Sequence, residues 1–160
     1  MEIELTQGKV AIVDEIDADL ARLLWCCNSD GYAVRATPGD NGKLIWMHRV
    51  ILARILRREL RPGEYVDHIN GDKTDNRREN LRLATSSQNC ANRGKREGTY
   101  SSEYKGVYWH KPTKNWRARI MVDGKPIHLG YFIDEMDAAS AYDEAAMKYF
   151  GEFASLNFPY

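Results

Sequence analysis

The chain has 160 residues, 23 basic and 23 acidic side chains, and a hydrophobic content of 43%. That is enough for one ordinary domain or two small ones, and it excludes a disordered chain. No apolar run approaches the roughly 20 residues of a membrane span, and the acidic start Met1-Glu2-Ile3-Glu4 lacks a signal-peptide core, so a cytosolic protein is expected.

Residues 2–13 read as strand, turn, strand, with Ile3 and Leu5 alternating against Glu2 and Glu4 and with Gly8 as punctuation. Residues 17–25 read as a helix carrying Leu20, Leu23 and Leu24 on one side and acids in its first turn. Tyr32–Thr37 and Lys43–Met47 read as a hairpin around Pro38-Gly39-Asp40-Asn41-Gly42. A helix is expected from His48 to about Leu60, ended by Pro62-Gly63, with Arg49, Arg54, Arg57, Arg58 and Arg61 available to a phosphate backbone. Tyr65-Val66-Asp67-His68 is a short strand, followed by a polar loop to Glu79 and a return strand at Asn80-Leu81-Arg82-Leu83. Thr85 and Gln88 form a capping box, so a helix starts at Ser86 and runs to about Arg93, with Asn89 near its first turn.

Charge is unevenly placed. Residues 1–47 carry 4 basic and 8 acidic side chains, residues 48–119 carry 17 and 8, and residues 120–160 carry 2 and 7. A basic middle between acidic ends is a footprint for a polyanion. The three cysteines, Cys26, Cys27 and Cys90, suggest no disulfide framework or zinc ribbon and are expected as buried or half-buried thiols.

The basic middle holds a group with chemical meaning. Hydrolysis of a phosphodiester needs an activated water, neutralisation of developing charge and help for the leaving oxygen. A Mg²⁺-like ion serves the last two with few protein oxygens, because it keeps several waters. Asp67 offers a carboxylate and Asn89 an amide oxygen. His68, on the other side of the strand, can take the water's proton, its ordinary pKa being about 6.5. Asn80 can bond backbone across the loop and hold its shape. A calcium loop built from Asn70, Asp72, Asp75 and Glu79 is a rival, but the ligand spacing is wrong for it.

These residues resemble the HNH (ββα-metal) endonucleases, in particular the phage and intron-encoded homing branch. The likeness rests on Met47-His48-Arg49, Val66-Asp67-His68-Ile69-Asn70-Gly71-Asp72, Asp75-Asn76-Arg77, Glu79-Asn80-Leu81-Arg82 and Ser87-Gln88-Asn89. It implies His68 as general base, Asn80 as the middle asparagine and Asp67 as the first metal ligand. Asn89 stands where many members carry a third histidine, a departure that also occurs in the homing branch. An amide oxygen there favours Mg²⁺ or Mn²⁺ over zinc.

Residues 93–103 read as a basic linker in which Arg93, Lys95 and Arg96 can follow a phosphate backbone. Beyond it, Lys105–His110, Trp116–Val122 and Ile127–Phe132 read as three strands, with a hairpin turn at Asp123-Gly124. Period two puts Trp116, Ala118, Ile120 and Val122 on a core face and Arg117, Arg119 and Met121 on the other. Asp134 caps a helix whose inner stripe is Ala138, Ala141, Tyr142, Ala145 and Tyr149, stopped by Gly151. Asn157 is expected to bond backbone near the C-terminus.

This unit is similar to the AP2/ERF DNA-binding domain over nearly all of the last 57 residues. The likeness rests on Tyr104-Lys105-Gly106-Val107, Trp116-Arg117-Ala118-Arg119-Ile120, His128-Leu129-Gly130-Tyr131-Phe132, the alanine-rich run 138–146 and Leu156-Asn157-Phe158-Pro159. It implies a sheet that enters the DNA major groove. By position, Lys105, Tyr108, His110, Arg119, Met121 and His128 would face DNA, and alternation adds Arg117. Tyr108, His110, Met121 and His128 replace family arginines and a tryptophan, so the family's target sequence does not transfer.

The expected fold class is α+β: an HNH ββα-metal nuclease domain at 1–92, a basic linker at 93–103, and an AP2-like three-stranded antiparallel sheet packed on one helix at 104–160. The expected function is a monomeric, site-specific DNA endonuclease of the homing type, phage- or mobile-element-encoded, using Mg²⁺ or Mn²⁺ on double-stranded DNA. The rival is a DNA-binding transcriptional regulator with an inactive HNH fold, against which the intact Asp67 and His68 argue. A structured-RNA binder is a further rival; it needs exposed aromatics, whereas Trp109 and Trp116 are expected on the core face.

Overall fold

The computed structural model describes residues 1–37, 39, 42–95 and 98–159. It is a mixed α and β chain of two compact units, Met1–Ala84 and Thr85–Tyr160.

In the first unit, β1 (Glu2–Glu4) pairs antiparallel with β2 (Val10–Ile12), placing Ile3 opposite Ala11. Both are buried while Glu2 and Glu4 face out, as period two requires. The helix expected at 17–25 is instead a 3-10 helix at Glu15–Arg22. Its apolar stripe is also smaller than expected, since Leu20 is buried but Leu24 is 93% exposed. The residue turned inward beside Leu20 is Asp17, whose partners lie far along the chain.

A three-stranded antiparallel sheet follows in the order β3 (Cys26–Cys27), β4 (Ala33–Ala36), β5 (Leu44–Trp46). Part of the expected turn between β4 and β5, namely Pro38, Asp40 and Asn41, lies outside the described residues. Helix α1 (Met47–Leu56) runs directly out of β5 and buries Met47, His48, Ile51 and Leu52. Full burial of an Ile or Leu side chain contributes about 1.5–3 kcal/mol. The helix stops well before Pro62-Gly63 because Arg57 adopts the left-handed conformation (φ 55°) and turns its N–H back to Ala53 and Arg54 carbonyls. Leu56 and Leu60 still pack on the core. The unit closes with an antiparallel pair, β6 (Tyr65–His68) and β7 (Leu81–Ala84), in which Asp67 faces Arg82 and His68 faces Leu81.

The second unit begins with α2 (Ser86–Ala91), whose Thr85 and Gln88 form the reciprocal capping box. Its sheet has β9 (Asn115–Val122) between β8 (Val107–His110) and β10 (Lys125–Phe132), all antiparallel. Helix α3 (Glu135–Phe150) packs on one face, with Asp134 accepting from the Met136 and Asp137 amides. Ala138 and Ala139 are wholly buried, so small side chains bring helix and sheet close. Tyr149, expected on the inner stripe, is 43% exposed, and Ala146 and Phe150 take that side. Trp109 also departs from expectation: it lies edge-on to Trp116 but is 38% exposed.

Cys27 is buried, whereas Cys26 and Cys90 are exposed, contrary to the expectation of covered thiols. Among the described residues no helix is long and apolar enough to cross a membrane.

Candidate active site and nucleic-acid interface

Alternation along β6 sends Asp67 and His68 to opposite sides, and both are buried. Arg82, across the ladder, donates from Nε to Asp67 Oδ2 at 2.8 Å. The position of His68 is set by the loop that follows it. Ile69 N donates to the Asn80 carbonyl (2.9 Å) and Gly71 N to the His68 carbonyl (2.9 Å).

Asn80 ties this loop together with its side chain. Its Oδ1 accepts from Asn70 N (3.0 Å), and its Nδ2 donates to the Asp75 carbonyl (2.7 Å) and to Asn70 Oδ1 (3.0 Å). The loop's acidic side chains are occupied within it. Asp72 Oδ1 accepts from Thr74 N and Oγ1, while both Asp75 oxygens accept from Arg77, which also pairs with Glu79. That use explains the oxygen-rich composition without a calcium ion.

The loop is pinned to β2 as well. Ile12 N donates to the Thr74 carbonyl (2.8 Å), and Asn76 N donates to the Ile12 carbonyl (2.7 Å). This places Asn76, a wholly buried side chain, with Oδ1 at 3.3 Å from His68 Nε2. Sequence reading gave Asn76 a place in the motif but no task. Nothing in the local sequence marks one asparagine of a polar loop as the buried one.

Aromatic rings enclose His68. The ring centroids of Tyr32 and His48 lie 5.9 and 5.2 Å from it. Burial pushes the His68 imidazole below its ordinary 6.5, partly countered by the Asn76 bond and the Asp67 charge. His48 is pushed further, to about 3, by burial and then by the charges of His68 and Arg49. Its Nδ1 is buried without a hydrogen-bond partner among the described residues, so it is a neutral wall of the site.

The arginines of the helix expected from His48 to Leu60 and just beyond it are less available than the sequence suggests. Arg54 binds Asp17 and Asp19, and Arg58 binds Glu64 through both terminal nitrogens. Arg57 and Arg61 are exposed.

Asn89 is half-buried on α2, in the second unit. There the outer sheet face gathers Tyr108, Arg117, Arg119, Met121 and His128, with His110 beside them. Tyr108, Arg117 and Tyr131 form one row across three strands, and Arg119 faces His128 in the next. Arg117 lies over the rings of Tyr108 (5.5 Å) and Tyr131 (5.8 Å) and donates to His128 Nδ1 (3.2 Å). Arg119 also lies over Tyr108 (5.5 Å), and His110 meets Thr113 and the Tyr131 ring. Tyr131, not named among the DNA-facing residues, joins this face because a bulge between His128 and Gly130 adds a residue to β10. Without it Gly130 would share the face of His128.

Lys105 is placed elsewhere. Its ammonium donates to the Ala91 (2.6 Å) and Arg93 (2.5 Å) carbonyls, and burial pushes it down to about 8 against the charge of Asp143. Lys95 donates to the Tyr104 carbonyl, and Arg93 is exposed. Arg96 lies outside the described residues. Asn157 bonds both backbone groups of Lys105 and the Asp143 carboxylate, so its backbone partner is distant in sequence.

Comparison with known proteins matches residues 46–91 to the model of an HNH endonuclease family. An uncharacterized HNH endonuclease of Acanthamoeba polyphaga mimivirus is 33% identical over 138 residues, covering 86% of this chain and 68% of that protein. APETALA2-like protein 2 of Oryza sativa subsp. indica is 43% identical over 58 residues, 36% of this chain but only 13% of the plant protein. An AP2-like ethylene-responsive transcription factor of Arabidopsis thaliana matches equally, over 12% of its length.

Proposed function

The chain belongs to the HNH endonuclease family, and from that premise we propose that it is a site-specific endonuclease of the homing type. It hydrolyses phosphodiester bonds of double-stranded DNA in the first unit and selects the place of cutting through the second. The observation that carries this reading is His68: a buried imidazole held by the loop Ile69–Asn80 and kept below its ordinary pKa beside Asp67.

A neutral imidazole at neutral pH accepts a proton, which is what a general base does to an attacking water. Asn80 holds the loop that fixes the His68 backbone, and Arg82 orients the Asp67 carboxylate through one oxygen. The Asp67 carboxylate is a hard oxygen donor, and the family resemblance names the Asn89 amide oxygen as a further ligand; oxygen donors of this kind suit a hydrated Mg²⁺ or Mn²⁺ ion better than zinc. When bound, such an ion supplies neutralisation of phosphate charge and stabilises the leaving oxygen.

The outer face of β8–β10 supplies recognition. Arg117 and Arg119 present planar forks among Tyr108, Tyr131 and His128, suited to base edges in a major groove. Arg93, Lys95 and Arg96 add backbone contacts that position the duplex.

The test is cleavage of supercoiled plasmid carrying candidate phage or intron DNA, with Mg²⁺ or Mn²⁺ against EDTA, wild type beside His68→Ala. Metal-dependent nicked or linear product, lost in the variant, supports the reading and tells one-strand from two-strand cutting. Salt-sensitive binding of the same DNA without product moves the function to a DNA-binding regulator.

A further inference from the structure

We propose that Asn76 is a positioning residue that fixes which ring nitrogen of His68 is basic: its amide oxygen accepts from Nε2–H and leaves the lone pair on Nδ1. The proposal rests on the reading of His68 as the base and adds which atom of it acts.

Three observations carry it. Asn76 is wholly buried, so its amide must find partners within the protein. Its Nδ2 donates to the Thr74 carbonyl at 3.0 Å, and its Oδ1 lies 3.3 Å from His68 Nε2. Its backbone is fixed on β2, where Asn76 N donates to the Ile12 carbonyl and the same Thr74 carbonyl accepts from Ile12 N.

These contacts leave the amide one orientation. Turned over, its oxygen would face the Thr74 carbonyl at 3.0 Å, acceptor against acceptor. With the oxygen toward the ring, the nearer ring nitrogen has to carry hydrogen, because an amide oxygen only accepts. A neutral imidazole has one N–H, so Nδ1 is then the nitrogen that takes a proton. The bond also stops the ring from rotating, which holds the lone pair in one direction.

The link reaches beyond the motif. Asn76 is aimed by Thr74 and Ile12, so the base is oriented from β2, whose Ile12 lies 56 residues before His68 in the chain. Substitution at Asn76 is therefore expected to act on turnover and not on DNA binding.

The experiment uses the full chain, metal-free, with ¹⁵N-labelled histidine. The His68 ring signals are identified by their loss in His68→Gln. Wild type is expected to show a slowly exchanging ring proton on Nε2 of His68, with Nδ1 unprotonated. Asn76→Ala should lose that proton to solvent exchange, and Asn76→Asp, which keeps an acceptor in place, should retain it. In metal-dependent plasmid cleavage, Asn76→Ala should lower kcat about 10–100-fold with KM within about 2-fold, a part of what a general base contributes.

A ring proton found on Nδ1 in wild type overturns the proposal, and this reading needs no variant to fold. So does an Nε2 proton that persists unchanged in Asn76→Ala, or a loss confined to KM. The expected ring spectrum in a wild type that cuts no DNA with any divalent ion overturns the nuclease reading and the kinetic half with it, while the hydrogen bond stands.

Discussion

Arg78 Nε lies 2.7 Å from Asp17 Oδ2, and the Asp17 carboxylate is wholly buried. The pair joins the 3-10 helix Glu15–Arg22 to the segment just before Asn80, and Arg54 of α1 completes it at 2.9 Å. Burial pushes the Asp17 carboxyl up, but the bonds and charges of the two arginines outweigh it and hold it below 3.8. Asp17→Asn should destabilise the first unit by about 2–4 kcal/mol, because the partly covered Arg78 guanidinium loses its anion and Arg54 keeps only Asp19. The stability that Asp17 contributes is fully present above its unfolded value of 3.8 and is lost as pH falls through the depressed folded value. Urea unfolding midpoints from pH 7 to pH 2 should show that acid limb in wild type and a flatter one in the variant. Equal limbs would mean that other carboxylates govern acid stability.

That pair also shows what sequence could and could not reveal. The β6–β7 hairpin, the capping box at Thr85 and Gln88, and the three strands of the second unit follow from local chemistry: alternation, turn residues and a cap. The same logic had no means to see Asp17 inward, because Arg54 and Arg78 are 37 and 61 residues away. It offered Arg54 and Arg58 to phosphate, although both are held by acids. It missed the end of α1, since an arginine in the left-handed region carries no sequence signal. It did not name Tyr131, which one inserted residue in β10 brings onto the recognition face. Asn80 was legible as a loop tie, whereas the burial of Asn76 depends on β2.

Gly106 is the backbone position on which the second unit is least forgiving. It has φ +77°, and a Cβ there would strike the Tyr142 ring and come within 2.7 Å of the Arg119 carbonyl. Gly106→Ala combines left-handed strain with overpacking and should cost about 2–4 kcal/mol. Thermal melting of the full chain, followed by tryptophan fluorescence, should show the loss. An unchanged melt would mean that α3 can shift to make room.

Lys105 separates a structural role from a DNA contact. Its ammonium covers the carbonyls of Ala91 and Arg93 at the end of α2, where positive charge is favourable. Lys105→Met keeps the stem and removes the charge. Amide exchange around Asn89–Asn92 should quicken, while the slope of log affinity against log salt stays the same. A slope reduced by about one unit would instead identify Lys105 as a phosphate contact.

Arg117 is held between two tyrosine rings and bonds His128, so its fork is aimed before any DNA arrives. Arg117→Lys retains charge but loses the plane and the second donor. It should weaken specific binding by about 1–3 kcal/mol while leaving non-specific binding nearly unchanged. Arg119→Ala should lose a similar amount. Binding curves on cognate and scrambled duplexes check this, and equal losses on both would assign these arginines to the phosphate backbone.

The pH dependence of cutting tests the environment of His68. The base must be neutral, so kcat/KM should rise with pH through the His68 pKa and level off above it. Burial places that pKa below 6.5, against the opposing pull of Asn76 and Asp67. The plateau should therefore be reached by neutral pH, with the acid limb below 6.5. Tyr32 forms part of the cover, its ring 5.9 Å from that of His68. Tyr32→Ala lets water reach the imidazole, which stabilises its charged form. The acid limb should then move up toward 6.5, and the rate at slightly acid pH should fall more than the plateau rate. A wild-type limb at or above 6.5 would show that the nearby acids outweigh burial. A limb unmoved by Tyr32→Ala would show that the cover lies with His48 and the loop, not with Tyr32.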